Sequence, residues 1–201
     1  MMCITHEDAI ARVDTLSERV SGRPFLLGVV GPPGVGKSTF AAALGRPLLQ
    51  MDGFHLANEY LDDLGARDRK GAPDTFDVEG YVAMLARLRS GHDVIAPRFD
   101  RDLDAAIAGA LPLSGSADLI VTEGNYLLCP DGGWGGVRPL LDEVWYLTLP
   151  DAVREERLVA RHRRHGRTLA EATAWVRQVD ARNAEVINRG ASLADLLVAA
   201  P

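Results

Sequence analysis

A chain of 201 residues with a formal net charge of −6 suits one α/β domain with a sizeable core, and its acidity argues against a general nucleic-acid or anionic-membrane binder. With 47% hydrophobic and 25% charged residues it belongs to neither the disordered nor the membrane class, and no apolar run approaches membrane-spanning length. Cys3 and Cys129 are too few for a disulfide framework or a zinc site, and the five histidines show no ligand spacing, so a reduced, cytoplasmic protein is expected.

At the N-terminus, Thr5-x-x-Asp8 reads as a cap for a helix over 6–20, with Ile10 and Val13 on one face, and not as a signal peptide. Phe25 to Val30 is an unbroken apolar run that predicts a buried strand, and a helix follows over 37–45. Between them stands Gly31-Pro32-Pro33-Gly34-Val35-Gly36-Lys37-Ser38-Thr39, a complete G-x-x-x-x-G-K-[ST] loop in the strand–loop–helix setting that motif requires. Each part has a task on a nucleoside triphosphate. Gly31, Gly34 and Gly36 let the backbone curl, so that N–H groups along Val35 to Thr39 point at phosphate oxygens. Lys37 reaches the β- and γ-phosphates, the Ser38 hydroxyl coordinates Mg²⁺, and the helix N-terminus favours the anion. The loop predicts an ATP-type nucleotide as cosubstrate.

Further strands are expected near 48–51, 93–96, 118–122, 143–149 and 195–198, and helices near 79–90, 136–141, 151–164 and 169–188. The alternation implies a mostly parallel sheet with helices on both faces. Residues 53–78 form a long polar connection, a length usually reserved for function. In such sheets ligands sit beyond the carboxyl ends of the strands, and two acids fall there, Asp52 and Glu123. A carboxylate near the γ-phosphate can accept the proton of an attacking hydroxyl, and a second can hold Mg²⁺. Either acid alone is equally well a loop residue or a helix cap; a phosphate loop on a third strand end favours the chemical reading.

After the phosphate loop come, in order, Met51-Asp52-Gly53-Phe54-His55, Ala72-Pro73-Asp74-Thr75-Phe76-Asp77, Pro97-Arg98-Phe99-Asp100-Arg101 and Glu123-Gly124-Asn125-Tyr126. This series resembles the phosphoribulokinase/uridine kinase group of P-loop kinases, which includes pantothenate kinase. It is most similar to a bacterial branch provisionally named fructose-transport-system kinases or nucleoside/nucleotide kinase-like proteins. The resemblance runs over roughly residues 24–198. It implies a three-layer α/β/α P-loop NTPase fold in one domain over 1–201, with an acceptor segment near 53–78 and a small helical lid near 161–168. It makes Asp52 the general base, gives Glu123 to the metal and acceptor side, and places Asp74 against acceptor hydroxyls. Arg98 and Arg101 fall where uridine kinases line the acceptor pocket with a Pro-x-Tyr-Asp segment. Here Phe99 replaces the tyrosine and arginines flank it, which fits an oxygen-rich or anionic acceptor; equally, the arginines could neutralise Asp100, Asp102 and Asp104. His55 is grouped with the acceptor contacts, although a lone histidine there also suits packing or capping.

Arg154, Arg157, Arg161 and Arg164 recur at helical spacing, and Thr168-x-x-Glu171 is a capping box for the next helix, so a hinged turn at Gly166 is expected. In nucleoside-kinase-like enzymes the lid lies here, with arginines closing over the triphosphate; Arg161 and Arg164 are the first choices, Arg163 and Arg167 second. Asn183 within the apolar face of the last helix, and Trp134 within a glycine-rich loop, suit either packing or ligand contact. Together these residues predict an ATP- and Mg²⁺-dependent kinase of a small molecule bearing an alcohol group, sugar-like or nucleoside-like. No nucleic-acid or membrane partner is expected, and the group's frequent dimers admit a homodimer. The alternative is a nucleotide-dependent switch acting on a protein. The chain, however, has neither the Asn-Lys-x-Asp motif of a GTPase nor the Leu-Ser-Gly-Gly-Gln motif of a transporter ATPase.

Overall fold

The computed structural model describes residues 2–200. Its strands are β1 (Cys3–Ile4), β2 (Phe25–Val30), β3 (Leu48–Gln50), β4 (Val94–Asp100), β5 (Ala105–Leu113), β6 (Leu119–Gly124), β7 (Glu143–Thr148) and β8 (Leu196–Ala199). Its α-helices are α1 (His6–Leu16), α2 (Lys37–Ala43), α3 (Asn58–Asp63), α4 (Val78–Arg89), α5 (Asp151–Arg164), α6 (Leu169–Trp175) and α7 (Ala181–Arg189). Six strands form one parallel sheet in the order β1-β8-β7-β2-β6-β3. Every residue of β2 and β6 is buried, as expected of central parallel strands covered on both faces. On one face, Val13, Leu16, Phe40 and Leu44 of α1, α2 and the residue after it pack on Leu27, Val29 and Val121. On the other, α4 brings Tyr81, Leu85 and Leu88 against Leu26, Val30 and Ile120, with Trp134 and Tyr126 beside them. The fold is thus the three-layer α/β/α arrangement expected.

Several boundaries differ for local reasons. The expected helix over 136–141 is instead two 3-10 turns, Trp134–Gly136 and Arg138–Leu140, because Pro139 removes an amide donor. The expected strand near 93–96 is β4, but it pairs antiparallel with β5 in a separate two-stranded ribbon and never joins the main sheet. The 53–78 connection holds α3 and two 3-10 turns. The first helix ends at Leu16 and continues only as a 3-10 turn to Arg19. The helix expected over 169–188 is interrupted by a π-helical turn, Val176–Asp180.

Trp134 is fully buried, and its indole N–H donates to the Pro73 carbonyl at 3.0 Å. It packs edge-on to Phe76 and tilted against Tyr81 and Tyr126, with ring centroids 5.6–5.9 Å apart. Of the two readings left open for it, packing and ligand contact, the structure has packing: it is a core residue that tethers the 53–78 connection from below.

Candidate active site

Three neighbouring strands deliver the site. The phosphate loop follows β2, Glu123 lies near the end of β6, and Asp52 follows β3; register sets Glu123 beside Val29 on one side and Gln50 on the other. In the loop, Gly34 has a φ of +83°, and a Cβ there would lie 2.7 Å from Leu158 and 2.9 Å from the Arg154 carbonyl. Helix α5 therefore presses on the loop so closely that only glycine fits. Beneath it Arg154 is buried, donating to the Pro33 carbonyl at 3.3 Å and to Asp151 at 3.1–3.2 Å. The first arginine of the stripe thus supports the loop from below.

The Lys37 ammonium donates to the carbonyls of Gly31 at 2.8 Å and Pro32 at 3.2 Å, lying along the loop it is expected to serve. Burial lowers its pKa to about 8; the carboxylates of Glu123 and Asp52 oppose the shift, while Arg161 and Arg154 add to it. A Cβ on Gly36 would lie 3.9 Å from the Arg157 guanidinium, which puts the basic stripe of α5 in reach of the loop. Glu123 is 4% exposed and accepts from the Ser38 hydroxyl at 3.0 Å and from Gln50 at 3.3 Å. Burial, and secondarily the nearby Asp52 charge, raises its pKa. A serine hydroxyl and a nearly buried carboxylate in contact are hard oxygen donors of the kind Mg²⁺ takes, so these residues fit such an ion. Among the described residues no group of three or more His, Cys, Asp and Glu could hold a metal alone. Gln50 was not singled out from the sequence; its place as the last strand residue before Asp52 was the available signal.

Asp52 is the second residue of a 3-10 turn, Met51–Phe54, with its carboxylate about one-third exposed and 3.7 Å from Arg101. A Cβ on the next residue, Gly53, would sit 2.5 Å from the Pro97 carbonyl of β4, so the ribbon rests directly on the backbone that carries Asp52. His55 donates through Nδ1 to the Asp52 carbonyl at 2.8 Å, and its ring lies between Phe76 and Phe99, with centroids 4.1 and 4.8 Å away. Burial lowers its pKa, which favours the neutral ring. Around these residues runs a clasp of charges. Asp104, at the ribbon tip, accepts through its carbonyl from Asn58 at 3.0 Å and Lys70 at 2.6 Å, and pairs through its carboxylate with Lys70 and Arg67. Its φ of +48° is a left-handed conformation that aspartate tolerates.

The remaining expected site residues divide. Arg101 meets Asp52, whereas Arg98 pairs with Asp100 at 3.5 Å, as the neutralising alternative had it. Asp74 is bound by Arg69, whose guanidinium lowers the carboxyl's pKa, and both remain largely exposed. Arg161 and Arg164 are exposed on α5, and among the described residues neither guanidinium is in an ion pair within 4.0 Å. Arg167, a second choice for phosphate contact, lies 3.8 Å over the Trp175 ring and donates to His162. The capping box is present, with Thr168 and Glu171 satisfying each other's backbone amides. Asn183 lies half-buried on α7.

No family model matches the chain. It is 34% identical over 178 residues to the uncharacterized protein YggC of Escherichia coli K12, covering 83% of this chain and 74% of that one. A crystal structure from Silicibacter sp. TM1040, provisionally named a fructose transport system kinase, superposes with a TM-score of 0.84 at 38% identity, covering 94% of this chain and 97% of that one. The pantothenate kinase of Enterococcus faecalis is 36% identical over 128 residues, 57% of this chain and 42% of the enzyme, so the chain spans less than half of that relative. Among the described residues no helix is long and apolar enough to cross a membrane.

Proposed function

Since the chain belongs to the group of P-loop kinases that includes pantothenate and uridine kinases, we propose that it transfers the γ-phosphoryl group of ATP to an alcohol of a small sugar-like or nucleoside-like metabolite. The observation that carries this reading is the convergence of the phosphate loop, Glu123 and Asp52 at the ends of three adjacent strands. Loop amides and Lys37 bind the triphosphate, and the protonated ammonium is favoured once phosphate oxygens replace the carbonyls of Gly31 and Pro32. Mg²⁺ held by Ser38 and Glu123 would neutralise charge on the β- and γ-phosphates.

Asp52 orients the acceptor hydroxyl and takes its proton. The hydroxyl oxygen bonds to the γ-phosphorus, the bond from that phosphorus to the β-γ bridging oxygen breaks, and ADP leaves. Two features support Asp52 in this role: it is partly exposed in a site otherwise closed by buried groups, and Arg101 stands 3.7 Å from its carboxylate, on the side from which an acceptor would enter. His55, held between Phe76 and Phe99, Asp74 and Arg98 line the acceptor side. Arg161 and Arg164 reach the transferring phosphoryl group from α5, where arginine contacts have their greatest value in the transition state.

The test is ADP release from Mg·ATP against a panel of sugars, sugar phosphates, nucleosides and pantothenate. Stimulation by one acceptor class, with the phosphorylated product found by mass, is the expected result. A flat panel, with hydrolysis stimulated by a protein instead, would replace this reading with that of a switch.

A further inference from the structure

Beyond the strand-end residues, one cluster of polar side chains is built as carefully as the site itself yet touches none of it. It joins α5 to the helical run that follows. His162, 15% exposed, contacts the carboxylate of Asp180, 8% exposed, at 2.8 Å through Nε2, and Arg167 at 3.0 Å through Nδ1. A guanidinium only donates, so Nδ1 must accept. With Nδ1 accepting, Nε2–H is the group that donates to Asp180. Arg167 is itself fixed over the Trp175 ring at 3.8 Å. The carboxylate arrives there because α6 does not pass directly into α7: the π turn Val176–Asp180 inserts extra backbone and rotates the residues after it, and Asp180 closes that turn. Such turns are rare in helices and gather at functional positions.

The cluster anchors one side of the last turn of α5. The same helix lies on the phosphate loop: Arg154 donates to the Pro33 carbonyl at 3.3 Å, a Cβ on Gly36 would sit 3.9 Å from the Arg157 guanidinium, and Arg161 stands one turn further along that stripe. Arg164 follows three residues after Arg161 along the same stripe. We propose that Asp180, acting through His162 and Arg167, is a positioning residue for the lid. It locks the end of α5 so that Arg161 and Arg164 are held toward the phosphate loop before nucleotide arrives, which spares binding part of the cost of ordering two long side chains. The inference rests on the kinase reading, adds Asp180 and His162 to it, and moves Arg167 from phosphate contact to the anchor of the lid.

The experiment is a double-mutant cycle read by calorimetry with Mg·ATP. In the wild-type background, Asp180→Ala weakens ATP binding about tenfold, within the range that coupled positions produce. In a background lacking both arginines, Arg161→Ala/Arg164→Ala, the same change has less than about a twofold effect, because the groups it positions are gone. His162→Ala cuts the same link from the α5 side, where alanine favours the helix, and carries the cycle if Asp180→Ala does not fold. Asp180→Asn keeps an oxygen acceptor for Nε2–H and restores binding to within about threefold of wild type. Equal weakening in both backgrounds, or none in either, overturns the positioning role. Lys37→Ala, measured alongside, separates the two levels: unchanged ATP affinity there overturns the nucleotide reading and this inference with it, whereas a normal Lys37 effect with additive Asp180 and arginine effects overturns the positioning role alone.

Discussion

The two halves of the site are held by different means. On the phosphate side, the positions are set by backbone: a loop between a fully buried strand and a helix, a glycine under α5 with no room for a methyl, a lysine lying on its own loop carbonyls. On the acceptor side, they are set by side chains: Asp104 clasped by Lys70, Asn58 and Arg67, Asp74 by Arg69, and Arg101 near Asp52. Backbone placement tolerates no substitution and little motion. Placement by exposed ion pairs is weak for each pair and readily exchanged, which suits the half of a kinase that must differ between substrates. On the proposed reading, the phosphate side serves one cosubstrate and the acceptor side whichever alcohol the enzyme takes.

The sharpest way to break this comparison is at Asp52, which stands on the border. Asp52→Asn should lower kcat by roughly 10²–10⁴ while leaving the Kd for Mg·ATP within about twofold, as expected for the loss of a general base. Near-normal turnover would remove Asp52 from that role. Two glycine substitutions then separate the halves. Gly34→Ala, at φ +83° and against Leu158 and the Arg154 carbonyl, should abolish measurable ATP binding and cost about 1–3 kcal/mol of stability. Gly53→Ala, against the Pro97 carbonyl, should instead raise the acceptor KM and leave ATP affinity nearly intact. If both variants lost ATP binding equally, the halves would not be independent.

A smaller effect concerns protons. With its pKa lowered to about 8 by burial, Lys37 loses its proton above that pH, whereas a bound triphosphate favours the charged form. Binding must then take up a proton, so ATP affinity should fall as pH rises through about 8, approaching tenfold per pH unit. Calorimetry in buffers of different ionisation enthalpy reads the proton directly, and Lys37→Arg, which stays charged, should flatten the profile. The smallest effect belongs to the exposed clasp. Arg69→Ala should leave the melting temperature unchanged and alter only the KM of the acceptor, through the released Asp74.

The same division decides what could be read from the residues alone. The phosphate loop, the strands that flank it and the two strand-end acids were legible because glycine spacing and unbroken apolar runs report backbone directly. The ribbon partner β5 was not: Ala105 to Leu113 mixes alanine and glycine with Ile107, Leu111, Pro112 and Leu113 in no strict alternation, since most of it is half-buried on a two-stranded ribbon that buries no full face. Nor was the replacement of the helix expected at 136–141 by 3-10 turns, where Pro139 outweighs the apolar pattern. Side-chain partnerships escaped almost entirely. Nothing in the order of residues says that Lys70 meets Asp104, that Gln50 supports Glu123, or that Arg154 turns inward while Arg161 stays outside. Trp134 was open to two readings because a glycine-rich loop hides the core contacts that its indole makes with Pro73.

The seating of the Pro97 carbonyl on Gly53 has a consequence for how such enzymes diversify. The ribbon is a lever whose fulcrum is the backbone that carries Asp52. Its far end, from Arg98 to Asp104, can change residue by residue, and each change alters what is offered to the incoming alcohol. The fulcrum stays where it is. If Asp52 is the base proposed, a new acceptor can thus be tried without moving it out of line with the phosphorus, so selection can explore substrates while the chemistry is kept.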